Sequence, residues 1–256
     1  MAQPVIRVFA DLESLSREAA EQFVRLAQQQ AQAGCRFSIA LAGGSTPRRL
    51  YELLAGEPYR SRVPWASVHA FWGDERWVPP DHPDSNFRQA FSLLLTHVPL
   101  PAGNIYRVPT GSGDATLAAA TYERTLRTFF KLQDGAWPAF DLVVLGLGED
   151  GHVASLFPQS AALQEAHHAV TATTGGNPNV PRVTLTLPVL NHAKHLVWLV
   201  AGAQKASVAR DVLEGADRAE ELPAQRVRPT HGEAMWLLDR AAAGLLHVDE
   251  AAKGNA

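Results

Sequence analysis

The sequence predicts an α/β fold of the Rossmann-like kind, with a mainly parallel sheet and helices on both of its faces. Short apolar runs typical of strands alternate along the 256 residues with longer stretches of helical period. Polar clusters rich in glycine follow several of these runs directly, and in an open parallel sheet such positions meet in one crevice. We find no internal repeat, low-complexity linker or break in composition, so we expect one domain over residues 1–256.

The predicted elements follow from apolar spacing and from the residues that end each run. Apolar side chains three and four positions apart indicate helices, and the first long run ends before Gly34, a typical helix stop. Helices are predicted at residues 15–31, 47–54, 115–130 and 204–213. Strands are predicted at residues 37–42, 68–72, 141–145, 195–200 and 234–238. Residues 79–83 and 175–181 are expected to form loops.

Composition and charge exclude several classes of protein. With 46% hydrophobic and 19% charged residues, the chain is neither disordered nor fibrous. Its 23 Lys and Arg against 26 Asp and Glu provide no general field for nucleic acid or an anionic membrane. Cys35 is the only cysteine, so an internal disulfide is impossible. Because we recognise no signal peptide and no apolar run long enough to span a bilayer, we expect a cytoplasmic protein.

The first polar cluster is a glycine loop between a predicted strand and a predicted helix. Gly43 and Gly44 allow a tight turn and a close approach of the backbone to a ligand. The free N–H groups at the helix start, with the hydroxyls of Ser45 and Thr46, are suited to cradle a phosphate. The loop is not a Walker motif, since no Gly-Lys-Ser/Thr follows at the required spacing. A plain strand–turn–helix is the alternative interpretation.

Charged residues near other strand ends are candidates for binding an anionic ligand. Asp74 and Arg76 follow an apolar strand, and a guanidinium binds phosphate or carboxylate through its fork of donors. Lys205 falls in the first turn of a predicted helix, where a cation opposes the helix dipole unless an anion is bound nearby. The arginines at 48–49 show the same conflict, and Arg182 adds a further cation. Ion pairs that cap a strand and solvated side chains are the alternatives.

The cluster after the strand at 141–145 carries most of the expected chemistry. Its glycines match the dinucleotide pattern G-x-G-x-x-G, but two acidic residues inside the loop would repel a pyrophosphate, and Pro158 leaves little room for the helix that follows in such sites. His152 is instead suited to act as a general base, since imidazole titrates near neutrality. Asp150 would orient the ring and stabilise the imidazolium that forms. A purely structural histidine is the alternative.

Other catalytic devices lack support in the sequence. The pairs His192 with His195 and His167 with His168 have no matching third ligand at useful spacing, so no metal is expected. No G-x-S-x-G elbow is present, which makes Ser155 a poor candidate for a nucleophile.

Seven segments that run in order along nearly the whole chain together resemble the 6-phosphogluconolactonase family, within the wider group of sugar-phosphate isomerases and deaminases. The segments are AGGSTP (42–47), WGDERWVP (72–79), GLGEDGHVASLFP (146–158), RVTLTLPVLN (182–191), GAQKA (202–206), LPAQ (222–225) and GEAMWLLD (232–239). Each segment alone is a weak signal, and their order along the chain makes the resemblance specific.

The resemblance implies hydrolysis of 6-phospho-D-glucono-1,5-lactone to 6-phospho-D-gluconate in the oxidative pentose phosphate pathway, without a cofactor. It implies that His152 activates water and that Asp150 orients it. Contacts with this phosphorylated sugar lactone are implied for Gly43, Gly44, Ser45, Thr46, Asp74, Arg76, Arg182 and Lys205. Which cation meets the phosphate and which polarises the lactone carbonyl stays open, as does the oligomeric state, monomer or weak dimer. Neither nucleic acid nor a membrane is an expected partner.

Two alternative functions remain. An amino-sugar-phosphate isomerase-deaminase resembles this chain at the glycine loop, at the Asp-Glu pair of residues 74–75 and at Asp-Gly-His. Members of that family carry a carboxylate about five residues after the histidine, where this chain has Phe157. A non-catalytic sugar-phosphate sensor would carry a DNA-binding segment, and no helix-turn-helix pattern precedes Phe37. Release of ammonia from glucosamine 6-phosphate would favour the first, and a gel shift with genomic fragments the second.

Overall fold

The described chain alternates strands and helices, as its apolar spacing predicts. The computed structural model describes residues 4–111, 113–176 and 178–247. Its strands are β1 (Val5–Phe9), β2 (Phe37–Leu41), β3 (Val68–Trp72), β4 (Asp74–Arg76), β5 (Leu142–Gly146), β6 (Val170–Gly175), β7 (Val180–Leu185), β8 (His195–Val200) and β9 (Glu233–Asp239). Its helices are α1 (Leu12–Gln32), α2 (Thr46–Ala55), α3 (Tyr59–Arg62), α4 (Asn86–Ala90), α5 (Ala115–Phe130), α6 (Leu187–His192) and α7 (Ala206–Leu213). The predicted strands agree with these bounds to within one residue at each end, and the predicted helices to within three.

The larger sheet is parallel throughout and has the strand order β1-β9-β8-β5-β2-β3. Every residue of β2 and β3 is buried, and so are nearly all residues of β5 and β8. Such continuous burial is expected of parallel strands that are covered on both faces. Because the strands are parallel, their carboxyl ends lie along one edge of the sheet, and the loops that leave them share that edge.

Helices cover both faces of this sheet, which confirms the predicted fold class. Phe23 of α1 packs on Phe37 of β2, with ring centroids 5.4 Å apart. Phe129 of α5 packs on Phe71 of β3 at 4.9 Å. Phe37 is paired with Val68, so these two side chains share a face, and Phe71, three residues after Val68, points to the opposite face. Helices α1 and α5 therefore lie on opposite sides of the sheet.

Helix α1 ends where the glycine predicts. Gly34 has φ +68, the left-handed conformation that favours glycine, and the N–H of Cys35 donates to the carbonyl of Gln30 at 2.8 Å. Cys35 itself is exposed, with a free thiol, in the turn that leads into β2. Neither α1, the longest helix, nor any other helix of the described residues has the length and apolarity needed to cross a membrane.

Two buried tyrosines fix the backbone at the carboxyl ends of β2 and β3. The Tyr51 hydroxyl accepts from the N–H of Ala42 at 3.1 Å and donates to its carbonyl at 2.5 Å. The Tyr122 hydroxyl bonds the N–H and the carbonyl of Trp72 in the same way, at 2.8 and 3.1 Å. Burial raises the pKa of both phenols, which keeps them neutral donors. The two strand ends are thus held at the points where polar loops begin.

A second, antiparallel sheet with the order β4-β7-β6 was not predicted from the sequence. The predicted loop at 175–181 is wrong at both ends, because Gly175 pairs with Val180 and Thr174 pairs with Pro181 in the β6–β7 hairpin. Glycine and proline residues of this kind are typical of a longer loop, but here they mark a turn between two strands. This small sheet carries charged residues to the carboxyl edge of the large one.

We expect Tyr122→Phe to lower the free energy of unfolding by about 1–3 kcal/mol, since it leaves the buried N–H and carbonyl of Trp72 without their partner. Urea unfolding of the purified variant measures the loss. Tyr106→Phe is the matched control, because its half-buried hydroxyl contacts only the ring nitrogen of His69 at 3.3 Å. Equal losses in the two variants would contradict the assignment of the strand-end bond.

Candidate active site

A cleft of about 200 Å³ opens at the carboxyl edge of the parallel sheet. Loops that follow β2, β3, β5 and β8 line it, together with residues of β4 and β7. The structure brings together nine of the ten residues predicted for the site: Gly43, Gly44, Ser45, Thr46, Asp74, Arg76, His152, Arg182 and Lys205. The tenth, Asp150, does not line the cleft but forms a hydrogen bond with His152, one of the nine. The prediction of one site assembled from separate loops is therefore consistent with the geometry.

The glycine loop reaches the cleft with its backbone. Gly44 has φ +95, a conformation that side chains disfavour, and this turn leads directly into α2. A Cβ on Gly43 would lie 1.8 Å from the Oδ1 atom of Asn86, so only glycine allows this approach. Ser45 precedes α2 without making a side-chain cap, which leaves the N–H groups of the first turn available. The start of α2 therefore offers donors and a positive dipole end to the cleft.

Strand pairing determines which charged residues of the second cluster face the cleft. In the antiparallel register Asp74 lies opposite Thr184, and Arg76 lies opposite Arg182. Side chains alternate along a strand, so Asp74 and Arg76 share the face of Arg182, whereas Glu75 points to the other side. Two guanidinium groups and one carboxylate thus stand side by side on the cleft wall.

The two arginines of this wall are held differently. Arg182 is buried, its Nε donates to the carbonyl of Gly175 at 2.8 Å, and its Nη1 lies 3.9 Å from Asp74. Burial lowers the pKa of Arg182, and the nearby positive charge of Arg76 acts in the same direction. Arg76 donates from Nη1 to the carbonyl of Asp84 at 2.8 Å, while its buried Nε has no partner among the described residues. The two guanidinium groups therefore carry more positive charge than the one carboxylate neutralises, and more N–H donors than the neighbouring carbonyls and this carboxylate accept from.

Asp74 is a buried carboxylate at the centre of a hydrogen-bond network. It accepts from the Ser155 hydroxyl at 2.5 Å and from the Asn86 amide at 3.3 Å. The N–H of Ser155 donates in turn to the Thr184 hydroxyl at 3.2 Å. Ser155 is fully buried and engaged on both sides, which agrees with the expectation that it is not a nucleophile.

Glu75 fixes the loop that leads to α4, on the far side of the strand. Its carboxylate accepts from the backbone N–H groups of Arg76, Asn86 and Phe87, at 2.7–2.8 Å, and from the Ser85 hydroxyl at 3.1 Å. Burial raises the pKa of Glu75, and these donors oppose the shift. With its acceptors used in this way, Glu75 supports the loop and does not line the cleft.

His152 and Asp150 form a hydrogen-bonded pair at the cleft. The Nδ1 atom of His152 lies 2.5 Å from Oδ1 of Asp150, which also accepts the backbone N–H of His152 at 3.1 Å. Burial raises the pKa of Asp150, but the hydrogen bonds and charge of His152 outweigh it, so the pKa is lowered overall. Gly148 makes room for the pair, since a Cβ there would lie 2.0 Å from His152 Nδ1. The turn at Gly151, with φ +80, brings the two side chains together.

Phe157 packs between the histidine and the buried arginine. Its ring centroid is 4.8 Å from that of His152 and 5.4 Å from the guanidinium carbon of Arg182. A Cβ on Gly175 would lie 2.5 Å from the Phe157 ring, so the β6–β7 hairpin approaches it closely. An apolar ring therefore supports one side of the imidazole.

The chain directly after β5 forms turns, so it lacks the long helix that follows the glycine loop of a dinucleotide site.

Lys205 reaches the cleft from the short 3₁₀ turn Ala203–Lys205 that precedes α7. Its Nζ lies 3.8 Å from Oε1 of Glu149, whose side chain is 67% exposed. That separation exceeds hydrogen-bond length and the partner is solvated, so the pair is weak. The ammonium is thus accessible to a stronger anionic partner.

The structure separates the remaining candidates from the cleft. Neither Arg48 nor Arg49 lines the cleft. Arg49 pairs with Glu13 and Glu52 on the surface, so its charge is neutralised within the protein and not by a ligand. Sequence reasoning missed Asn86 as a cleft residue, although it follows the charged cluster closely. Its position depends on Glu75, a long-range contact that no local pattern indicates. Within the described residues, no group of three or more His, Cys, Asp or Glu side chains is arranged to hold a metal ion.

Comparisons with known proteins agree with this architecture. The profile of the family described as "Glucosamine-6-phosphate isomerases/6-phosphogluconolactonase" matches residues 10–236. A relative from Synechocystis sp., named 6-phosphogluconolactonase, is 45% identical over 205 residues, which cover 80% of this chain and 82% of the relative. The structure of 6-phosphogluconolactonase from Trypanosoma brucei has a TM-score of 0.85 at 31% identity, covering 96% of this chain and all of that one. A monomeric glucosamine-6-phosphate deaminase has a TM-score of 0.80 at 20% identity over 94% of this chain and 99% of its own, a likeness of fold alone.

The fold and the cleft define an α/β protein with a cationic pocket and a His–Asp pair at the carboxyl edge of its sheet. The chain belongs to the glucosamine-6-phosphate isomerase/6-phosphogluconolactonase family. It is accordingly an enzyme.

Gly148→Ala should lower kcat about 100-fold or more, because the added methyl group would displace His152, the predicted general base, and such a base contributes about 10²–10⁴-fold. Steady-state kinetics with the phosphorylated lactone that the sequence resemblance implies as substrate measure the change. Gly103→Ala is the control, since Gly103 does not line the cleft and a Cβ there meets no heavy atom within 4 Å. If both variants lost activity equally, displacement of the His152–Asp150 pair would not explain the loss.

Proposed function

We propose that this enzyme is a 6-phosphogluconolactonase, which hydrolyses 6-phospho-D-glucono-1,5-lactone to 6-phospho-D-gluconate. The observation that carries the proposal is the His152–Asp150 pair, which borders a cleft whose other walls present Arg76, Arg182 and Lys205. Relatives with this name match most of the chain, which supports the same substrate. A ring-shaped ester with a phosphate at one end needs a base near the carbonyl and positive charge at both ends of the site.

The contact between Asp150 and His152 determines which ring nitrogen acts as the base. Asp150 carries a negative charge near neutrality because its pKa is lowered, so it accepts a hydrogen bond from Nδ1–H and keeps that proton on the ring. Nε2 then holds the lone pair and removes a proton from water as that water attacks the lactone carbonyl. The imidazolium that forms is stabilised by the carboxylate, and it returns the proton to the ring oxygen when the C–O bond breaks. The product leaves as a carboxylate after loss of its acidic proton.

Positive groups in the cleft perform the remaining work of the proposed reaction. As water adds, the carbonyl oxygen becomes an oxyanion, and a cation placed beforehand lowers the free energy of that state. Arg76 and Arg182 supply this charge, and Lys205 with the N–H groups at the start of α2 binds the phosphate. Binding of the phosphate away from the reacting carbon orients the lactone, so remote binding energy is used for position. No covalent nucleophile is needed, since a lactone is already an activated ester.

The apolar contact at His152 distinguishes this proposal from an isomerase-deaminase. The resemblance to that group implies a carboxylate about five residues after the histidine, and here Phe157 occupies the place, 4.8 Å from the imidazole. Opening of the sugar ring, which that carboxylate assists in the isomerase-deaminases, would lack its helper group here. No observation favours a non-catalytic sensor over an enzyme. The cytoplasmic location, the absence of a cofactor and the single-domain organisation stay predictions.

His152→Ala should lower kcat by about 10²–10⁴-fold, the usual contribution of a general base, and leave the affinity for 6-phosphogluconate nearly unchanged. The assay generates 6-phosphogluconolactone in situ and subtracts its spontaneous hydrolysis, and calorimetry measures product binding. Asp150→Asn should cost less than His152→Ala, because an amide oxygen still accepts from Nδ1 although the charge is lost.

His167→Ala, at an exposed position, is the control and should behave as the wild type. Turnover that survives His152→Ala would show that another group is the base. If the wild type did not accelerate lactone loss at all, the proposed function would be wrong, and ammonia release from glucosamine 6-phosphate would be measured next.

Lys205→Met should raise KM for the phosphorylated lactone about 10- to 100-fold, the range expected when one hydrogen bond between charged groups is lost. It should leave KM for phosphate-free glucono-1,5-lactone within about twofold, as for a substitution that touches no ligand group. Lys131→Met, exposed after α5, is the control and should change neither value. Equal increases for both lactones would contradict a role for Lys205 in binding phosphate.

A further inference from the structure

The carboxylate of Asp239 is buried at the end of β9, next to the strand that leads to Lys205. Asp239 is 8% exposed and does not line the cleft. Both of its oxygens accept from the backbone N–H of Gly202, at 3.0 and 3.1 Å. Its Oδ1 also accepts from the N–H of Ala242 at 2.7 Å. One side chain therefore joins the loop after β8 to the loop after β9.

The turn that Asp239 holds ends at Lys205. Gly202 has φ +98, a backbone conformation that favours glycine, and its carbonyl accepts from the N–H of Lys205 at 3.0 Å. The carboxylate thus binds the N–H of Gly202, and the carbonyl of the same residue binds Lys205. Two hydrogen bonds in series connect a buried anion with the residue that presents its ammonium to the cleft.

Among the described residues no hydrogen bond holds the ammonium of Lys205, although its side chain is only 19% exposed. Its ion pair with Glu149 spans 3.8 Å and has a solvated partner. A lysine ammonium moves on a flexible four-carbon stem, so its mean position depends on the backbone that carries it. The backbone of Lys205 lies in a turn of three residues, and the hydrogen bonds to Gly202 anchor the start of that turn. A loss of the Asp239 contact would therefore move or loosen the ammonium.

We propose that Asp239 is a positioning residue for phosphate binding, which acts by holding the Gly202–Lys205 turn; this inference rests on the proposed function of the cleft. A positioning role for Asp239 differs in its consequences from that of a general loop anchor. A loop anchor affects stability and both substrates alike, whereas a positioning residue affects the ligand that carries phosphate.

The test compares Asp239→Ala with Asp239→Asn on two substrates. Asp239→Ala should raise KM for the phosphorylated lactone about tenfold, with kcat and the KM for glucono-1,5-lactone within about twofold of wild type. Asp239→Asn should rescue binding, because an amide oxygen at the Oδ1 position still accepts from Gly202 and Ala242. Equal KM increases for both lactones in Asp239→Ala, or no rescue by Asp239→Asn, would overturn the proposal.

A double variant tests whether the effect passes through Lys205. If it does, Asp239→Ala combined with Lys205→Met should raise KM for the phosphorylated lactone no further than Lys205→Met alone. Full additivity of the two effects would contradict the inference. Asp141→Ala is the matched control, since Asp141 is also a buried carboxylate that accepts a backbone N–H, from Ser38 at 2.8 Å, at the other end of the sheet. It should lower stability without changing the ratio of the two KM values.

Two further measurements keep the outcome decisive. If Asp239→Ala does not fold, Gly202→Ala is used instead, because it disturbs the same turn without removing the carboxylate. Gly202→Ala should raise KM for the phosphorylated lactone and leave KM for glucono-1,5-lactone nearly unchanged. An equal rise for both lactones would overturn the proposal. Calorimetric binding of 6-phosphogluconate separates this inference from the proposed function. A wild type that binds it without hydrolysing the lactone would disprove the reaction, and Kd values of the variants would still test the role of Asp239.

Discussion

The parallel alignment of the large sheet is the constraint on which the site depends. Parallel strands place all of their carboxyl ends at one edge, so the loops after β2, β3, β5 and β8 meet although they are far apart in the chain. Tyr51 and Tyr122 hold two of these ends by bonding both backbone groups of one residue. Each loop therefore starts from a fixed point, and short glycine turns suffice to carry the functional groups into the cleft.

Negative and positive residues have different roles around this cleft. Buried carboxylates accept backbone N–H groups and hold loops, as Glu75 does behind the arginine wall and Asp239 does below Lys205. The cations face the cleft, and the carbonyls and carboxylates around them accept from only some of their N–H donors. A buried carboxylate that accepts several N–H groups needs no cation as partner, so it supports the loop without neutralising the pocket. The positive charge of the cleft is thus retained in a protein whose net charge is −3.

Local patterns predicted the large sheet except its edge strand β1, together with its main helices and most of the cleft residues, because strand runs, helical periods and glycine turns are all short-range signals. They did not predict the small antiparallel sheet, since β4 has three residues and the hairpin of β6 and β7 contains the glycine and proline of a turn. Without that sheet, the sequence could not separate Glu75 from its neighbours Asp74 and Arg76. It could not reveal Asn86 or Asp239 either, whose roles depend on contacts with residues distant in the chain.

The turn between α1 and β2 carries a thiol at which this protein can be labelled selectively. Cys35 is exposed and is the only cysteine of the sequence. It lies just before β2, at the amino edge of the sheet, whereas the cleft lies beyond the carboxyl edge, about 17 Å away along a strand of five residues. A maleimide would therefore attach the molecule to a surface or a fluorophore in a single orientation, with the cleft facing solution and free to exchange ligand.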